Sequence, residues 1–500
     1  MRPDEKPIMG RKTMMRFFGR SLLPLALVAT CLNSHPAPAS AATDAKPNIL
    51  FVLIDDMGYG DLTCYGEHRV HTDQIDRIAA EGIRFTQFYV NAPICSPSRT
   101  ALLTGQYPAR WKITSYLDNR AMNTRRGMAQ WLDPAAPSIA RDIRAQGYAT
   151  GHFGKWHMGG QRDVGDAPLI TEYGFDKSLT TFEGLGDRIL PILDAYDGTP
   201  PKHYSLGSDK LGRGNITWVE RSKVTTSFVS AAITFIKQAE GAGKPFYVDV
   251  WPDDVHSPFF PPKVLRGDAS KKQLYLGVVQ ATDDQLKPLF DFVRDDPALR
   301  DNTLIVIASD NGPEPGAGSA GTFRGQKGNL YEGGIREPFI VWGPGLLDKK
   351  SIGTVDDQTV IAGMDIRPSI LSLLGHLPPA NSFDGEDLNL SLLGKARQTR
   401  SRPICWLRPP DRPGPAKTPW PDLAIRDGNW KLLINTDGSS PQLYDLANDV
   451  NETTNLAAQN PARVDRLKKA VLAWRASMPL PEVAPVHAEA NPVYMDWDDG

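Results

Sequence analysis

The chain has 500 residues, 41 % of them hydrophobic, enough to build one large core with a smaller companion. Its 56 lysines and arginines nearly balance 58 aspartates and glutamates, for a formal net charge of −2. That balance excludes the basic footprint of a nucleic-acid-binding protein.

The first segment, "MRPDEKPIMGRKTMMRFFGR", is net basic and leads into the apolar run "SLLPLALVATCL", which is too short to span a bilayer. Small residues then end in Ala39-Ser40-Ala41. This is the pattern of an export signal over residues 1–41, and it predicts a periplasmic or secreted protein. Lipidation at Cys31 is the alternative, disfavoured because Thr30 is a poor residue before such a cysteine. No later segment has the length and apolarity of a transmembrane helix. The mature chain keeps Cys64, Cys95 and Cys405, an odd number that sets one thiol apart. Cys64 and Cys405 are open to two readings, a disulfide or two buried thiols.

Ile49 to Ile54 is an unbroken apolar run, which predicts a strand buried on both faces and ending at Asp55 and Asp56. "TDQIDRIAAEG" reads as a helix closed by Gly82, and "IRFTQFYV" as a strand. "SPSRTALLTG" is a short helix with Pro97 in its first turn and Gly105 past its end, and Cys95 stands at its mouth. A helix N-terminus would favour the thiolate there. The alternation continues through the helix "APSIARDIRAQG", the strand "YATGHFGK", the helix "VTTSFVSAAITFIKQA" and the strand "FYVDVW". It ends with a helical region over 270–295, the apolar strand "NTLIVIASDNG", the strand "PFIVWGPG" and the helix "DIRPSILSLLG". Strands alternating with helices predict an α/β fold with a mostly parallel central sheet, covering residues 46–380. From 381 to 478 the pattern changes to antiparallel strands around Asp-Gly turns and one amphipathic helix, "ARVDRLKKAVLAWRASM", with Val464, Leu467, Val471 and Leu472 on its apolar face. This predicts a smaller α+β subdomain. Residues 479–500 read as a tail.

Two buried strands end in oxygen ligands, Asp55-Asp56 and Asp310-Asn311. Ligands gather at the carboxyl ends of strands in open α/β sheets, and three carboxylates with an amide suit Ca²⁺ or Mg²⁺ rather than zinc. In "GHFGKWHMGG", Lys155 and His157 are two apart, which in extended backbone puts them on one face as a charge stabiliser and proton carrier, with Trp156 packed inward. His256 follows another strand in "VWPDDVHSPFFPP", and Lys327 lies in the glycine-rich "GTFRGQKGNLYEGGIREP". Taken singly, each of these reads more readily as an ordinary loop residue than as part of a site.

Together the segments "PNILFVLIDDMGYGDLTCYG", "CSPSRTALLTG", "GKWHMG", "ASDNG" and "GQKGNLYEGGIREP", with "AIRDGNWKLL" and "QLYDLANDVNETTNLA" further on, resemble the type I, formylglycine-dependent sulfatases. That arylsulfatase and glycosulfatase family belongs to the alkaline-phosphatase-like superfamily. The resemblance runs over about residues 46–478, and its C-x-P-x-R element is highly specific in this context. It implies that a formylglycine-generating enzyme oxidises Cys95 to formylglycine (3-oxoalanine), with Pro97 and Arg99 as recognition marks. Asp55, Asp56, Asp310 and Asn311 would hold Ca²⁺, with modified Cys95 also touching the ion. One hydroxyl of the hydrated aldehyde would attack sulfur. Lys155, Lys327 and the helix N-terminus would neutralise the sulfuryl oxygens, and Arg99 would brace the hydrate. His256 would protonate the leaving oxygen, and His157 would deprotonate the second hydroxyl as sulfate departs. Val255 stands where many relatives have proline, and "WPDD" before it is unusual. The expected activity is sulfate monoester hydrolysis, on aryl sulfates in vitro and on sulfated carbohydrates physiologically. The alternatives are a phosphonate or phosphate ester hydrolase of the superfamily and a non-catalytic sulfated-glycan binding protein. Substrate contacts are expected from the loop between Gln161 and Arg221 and from the Pro-rich "LRPPDRPGPAKTPWPD".

Overall fold

The computed structural model describes residues 46–194 and 199–480. The export signal, Cys31 and residues 481–500 of the tail lie outside the described residues. Twelve strands form the large sheet: β1 (Asn48–Ile54), β2 (Ile83–Tyr89), β3 (Ala149–Gly154), β4 (Lys177–Thr180), β5 (Arg188–Leu193), β6 (Lys202–His203), β7 (Ile216–Glu220), β8 (Phe246–Trp251), β9 (Thr303–Ser309), β10 (Arg336–Trp342), β11 (Thr354–Asp356) and β12 (Ile361–Ala362). Their order is β11-β2-β10-β9-β1-β8-β3-β4-β5-β6, with β12 on β2 and β7 on β5. Pairing is mostly parallel, and β10 is the interior exception, antiparallel to both β2 and β9.

The unbroken apolar run of β1 is explained by the layers on either side. Ile49, Phe51 and Leu53 join one apolar cluster, and Leu50, Val52 and Ile54 join another. The period of two sends alternate side chains to opposite faces, and each buried side chain contributes about 1.5–3 kcal/mol. The helices Val224–Gly241 and Lys271–Asp295 cover the second face, through Phe228, Ala232, Leu286 and Leu289 among others. The helices Cys95–Thr104, Ile139–Arg144 and Ile366–Leu373 cover the first.

Four antiparallel strands, β13 (Ile404–Leu407), β14 (Leu423–Asp427), β15 (Trp430–Ile434) and β16 (Gln442–Asp445), form a second sheet. The helix Pro461–Ala476 packs on it, burying Val464, Leu467 and Val471, while Leu472 sits at the margin. The segment from Gln161 to Arg221, read from sequence as a loop, instead holds β4 to β7 and extends the large sheet. These strands are two to six residues long and separated by glycine- and proline-containing turns, so they carry no clear periodicity. Cys64, Cys95 and Cys405 are all free thiols, so the disulfide reading does not hold. Among the described residues no helix is long and apolar enough to cross a membrane.

The small sheet is tied to the large one by a buried charge cluster. Lys431 on β15 lies 2.9 Å from both Glu332 and Glu452, and none of the three side chains is exposed. Against the cost of burial, Lys431 and Arg336 hold Glu332 down to about 2, whereas burial and the charge of Glu332 push Glu452 up to about 7. Removing the shared cation leaves two carboxylates buried together, a change that costs about 3–5 kcal/mol. Lys431→Met is therefore expected to lower the unfolding free energy by roughly that amount in urea titrations. The contribution of Glu332 is complete above pH 4.5 and lost as pH falls through about 2; that of Glu452 is complete below pH 4.5 and lost as pH rises through about 7.

Candidate active site

Strand register builds the site. β1 and β9 are parallel with Ile54 opposite Ser309, so the acids that follow, Asp55 and Asp310, emerge side by side. Neighbouring residues of a strand point to opposite faces, yet Asp56 joins the same cluster. Its φ of 58° turns the backbone into the left-handed region just after the strand ends. Oxygens of Asp55, Asp56 and Asp310 all lie within 4.8 Å of one another, and all three residues are fully buried. Asp310 also accepts a hydrogen bond from the Asp56 N–H at 3.1 Å. Asn311 donates its amide nitrogen to Asp56 Oδ1 at 2.7 Å and to the Gly312 carbonyl at 3.0 Å. That fixes the amide and leaves its Oδ1 buried without a hydrogen-bond partner.

Cys95 is the first residue of the helix Cys95–Thr104, which ends at Gly105 in the left-handed conformation. One turn on, Arg99 donates from Nε to Asp310 at 2.8 Å, from Nη2 to Asp55 at 2.9 Å and from Nη1 to the Lys155 carbonyl at 2.7 Å. Its guanidinium lies 5.3 Å from the Trp251 ring centroid. Helix, acid pairs and the end of β3 are thus joined by one side chain.

β3 runs parallel to β8 with Gly154 opposite Trp251. At Gly154, with φ 134°, a side chain would stand 2.1 Å from the Trp251 carbonyl oxygen, so only glycine permits this approach. Lys155 follows, its Nζ 2.7 Å from Asp55, 3.0 Å from Glu183 and 3.8 Å from Cys95 Sγ. His157 does not continue in extended backbone as the sequence reading had it; its φ is 56°. Lys155 and His157 converge on Glu183, 3.1 Å from His157 Nδ1. His157 Nε2 sits 2.9 Å from the Leu117 carbonyl, and the Leu117 N–H donates to Ser96 Oγ, beside Cys95. Burial, assisted by Lys155 and opposed by Glu183, pushes the His157 imidazole down to about 3. A proton taken up by Nδ1 would land in hydrogen-bond reach of Glu183. Trp156 is fully buried, as its position implied.

His256 leaves the end of β8 with its side chain 28 % exposed and Nε2 3.6 Å from Asp56. Its Nδ1 lies 2.6 Å from the Ser257 carbonyl and donates to it. Lys327 donates to Asp56 at 2.5 Å and to Glu314 at 3.4 Å. Among the reactive groups His256 and Lys327 are the more accessible, so solvent and ligand approach from their side, while Cys95 is 1 % exposed. Burial pushes the Cys95 thiol well above its ordinary value despite the nearby lysines. The thiolate expected from the helix terminus is therefore not favoured, and an unmodified Cys95 is a weak nucleophile.

Ten residues singled out from sequence meet in this one site. Glu183 and Glu314 were missed: each is a lone acid in a loop without motif, and only the fold brings them to Lys155, His157 and Lys327. Five carboxylates, from Asp55, Asp56, Asp310, Glu183 and Glu314, face three cationic side chains, Arg99, Lys155 and Lys327. The excess of two negative charges, the all-oxygen donor set and the unpartnered Asn311 oxygen fit a divalent hard cation. Burial and the charge of Asp55 push Asp310 above the usual carboxylate range, against the opposing pull of Arg99. Ca²⁺ added to chelator-treated protein is expected to raise the thermal midpoint, by about 2.7 kcal/mol of stability at a hundredfold excess over Kd. Asp310→Asn and Asn311→Ala should lose most of that rise in differential scanning fluorimetry.

A family model described as Sulfatase matches residues 47–376. N-acetylgalactosamine-6-sulfatase of Canis lupus familiaris is 33 % identical over 405 residues, covering 77 % of this chain and 72 % of the relative. N-acetylgalactosamine-6-O-sulfatase of Bacteroides thetaiotaomicron is 28 % identical, covering 90 % and 97 %. Arylsulfatase A of Bos taurus is 29 % identical, covering 84 % and 85 %. Among solved structures, Ps i-CgsB in complex with a neocarrahexaose shares the fold with a TM-score of 0.71 at 24 % identity, covering 88 % of this chain and 95 % of that one. The chain belongs to the sulfatase family, a family of sulfuric ester hydrolases.

Proposed function

We propose that this protein is an exported carbohydrate sulfatase that hydrolyses sulfate monoesters with Cys95 in its formylglycine form and Ca²⁺ held by Asp55, Asp56, Asp310 and Asn311. The observation that carries the reading is the convergence of Cys95, at a helix N-terminus, on Lys155 and on an oxygen-only cluster. Relatives named for N-acetylgalactosamine 6-sulfate support a sulfated amino sugar as substrate.

Formylglycine, once generated by its modifying enzyme, supplies as its hydrate one hydroxyl to attack sulfur and a second to release sulfate again. Ca²⁺, when bound, supplies positive charge against the sulfuryl oxygens and the nucleophile. The chain's own groups do the rest. Lys155, paired with Asp55, and Lys327, paired with Asp56, neutralise charge that grows on the sulfuryl group. The free N–H groups of the first helical turn at Cys95 add to this. Arg99 holds Asp55 and Asp310 in place from beneath. With Nδ1–H committed to the Ser257 carbonyl, His256 gives its proton from Nε2 to the leaving oxygen on the open side of the site. His157, kept neutral by burial and oriented by Leu117 and Glu183, takes the proton released as sulfate departs.

A phosphonate monoester hydrolase of Agrobacterium radiobacter shares the fold at 20 % identity with a TM-score of 0.59. Catalytic efficiency on para-nitrophenyl sulfate against para-nitrophenyl phosphate separates the two chemistries, and the sulfate is expected to win. Mass spectrometry of active protein should find the peptide containing Cys95 lighter by the conversion of thiol to aldehyde; full activity with an intact thiol would remove this mechanism. A good aryl leaving group needs little protonation and a sugar alkoxide a great deal. His256→Ala should therefore lose on the order of 10²-fold more activity on a sugar sulfate than on the aryl sulfate. Glu183→Gln, which keeps the side-chain shape and removes the charge that Lys155 and His157 share, should lower kcat on both substrates by on the order of tenfold in steady-state assays.

A further inference from the structure

A cavity of about 630 Å³ is lined by the loop that carries Lys327, the Pro-rich segment and the small sheet. We propose that it is a saccharide subsite that holds a sugar unit remote from the scissile sulfate; this rests on the reading that the substrate is a sulfated glycan. Its volume lies within the range of small-molecule sites.

The lining has the chemistry of sugar recognition. Trp420, Tyr331 and Tyr444 supply aromatic surface, and no carboxylate faces the cavity. The Trp420 ring is braced by backbone. Gly414, with φ 79°, passes so close that a side chain there would stand 2.7 Å from the ring. Arg324 lies 3.8 Å over the Tyr331 ring centroid and donates to Tyr444 Oη at 3.1 Å and to the Glu452 carbonyl at 2.9 Å. Both tyrosine hydroxyls donate to Gln442 Oε1, at 2.9 and 3.0 Å. That orients the amide and commits its oxygen. The Gln442 amide nitrogen, the Gln326 side chain and the Thr418 hydroxyl have no hydrogen-bond partner among the described residues, so they are available to hydroxyls of a ligand. Fixed aromatic faces beside uncommitted neutral donors and acceptors match a pyranose ring, which presents C–H on its faces and hydroxyl at its edge.

The cavity is joined to the catalytic site by contact. Gln326 and Asn329 line it while Lys327, between them, reaches Asp56. Gly328 donates to the Pro93 carbonyl at 2.8 Å, two residues before Cys95. A side chain at Gly328 would touch Arg412 at 3.4 Å and Trp420 at 3.6 Å. Arg412 in turn lies 5.2 Å from the Tyr116 ring, and Tyr116 is 6.4 Å from the His157 ring. Tyr116, Arg412 and Trp420 thus form a chain of neighbours from His157 to the cavity.

The test uses the full mature protein and tetrasaccharides from chondroitin, carrageenan and heparan, each chemically desulfated so that binding reports no sulfate contact. At least one should bind the wild type in calorimetric titration, and Trp420→Ala should weaken it about tenfold. Thr418→Trp, which fills the cavity from an exposed position, should do the same. Hydrolysis of para-nitrophenyl sulfate should stay within about twofold of wild type in both variants. If no desulfated tetrasaccharide binds the wild type, or if both variants bind as the wild type does, the subsite is overturned. A wild type that binds through Trp420 but does not hydrolyse para-nitrophenyl sulfate would sustain the subsite and overturn the catalytic reading.

Discussion

The Arg99 guanidinium bridging Asp55 and Asp310 is the interaction on which the rest of the site depends. All three side chains are wholly buried, so neither acid can be left without its partner. Because Arg99 also holds the Lys155 carbonyl, it ties together residues from the ends of β1, β3 and β9. It lies on the helix that begins with Cys95, so the same side chain sets the distance between that residue and the acids. A local choice, arginine one helical turn after cysteine, therefore fixes a relation between segments more than two hundred residues apart.

Much of this is legible in the sequence alone. The run Ile49–Ile54 announced a doubly covered strand, and the two parallel apolar clusters that divide its side chains explain why. The acid pairs were readable because each follows such a run directly. What sequence could not supply was register. The opposition of Ile54 and Ser309 makes neighbours of Asp55 and Asp310, and no single-strand pattern encodes it.

The misreadings have physical causes as well. Spacing alone placed Lys155 and His157 on one face of extended chain, but the left-handed turn at His157 and the nearby Glu183 bring them together instead. Glu183 lies between β4 and β5, strands too short to show a period, so its role emerged only from tertiary contact. A thiol at a helix N-terminus suggested activation, yet burial outweighs the dipole and neighbouring lysines there. That balance keeps the unmodified Cys95 thiol protonated.

The link between the small sheet and the Lys327 loop has a further meaning for binding. Tyr331 and Tyr444 meet on Gln442, Arg324 reaches Glu452, and Lys431 clamps Glu332 and Glu452, all through contacts within the chain itself. A surface held at so many points has little rotamer freedom left to lose on association. The entropy cost of docking a glycan then falls chiefly on the glycan's own linkages, so stiff, extended oligosaccharides are favoured over supple ones of equal contact area.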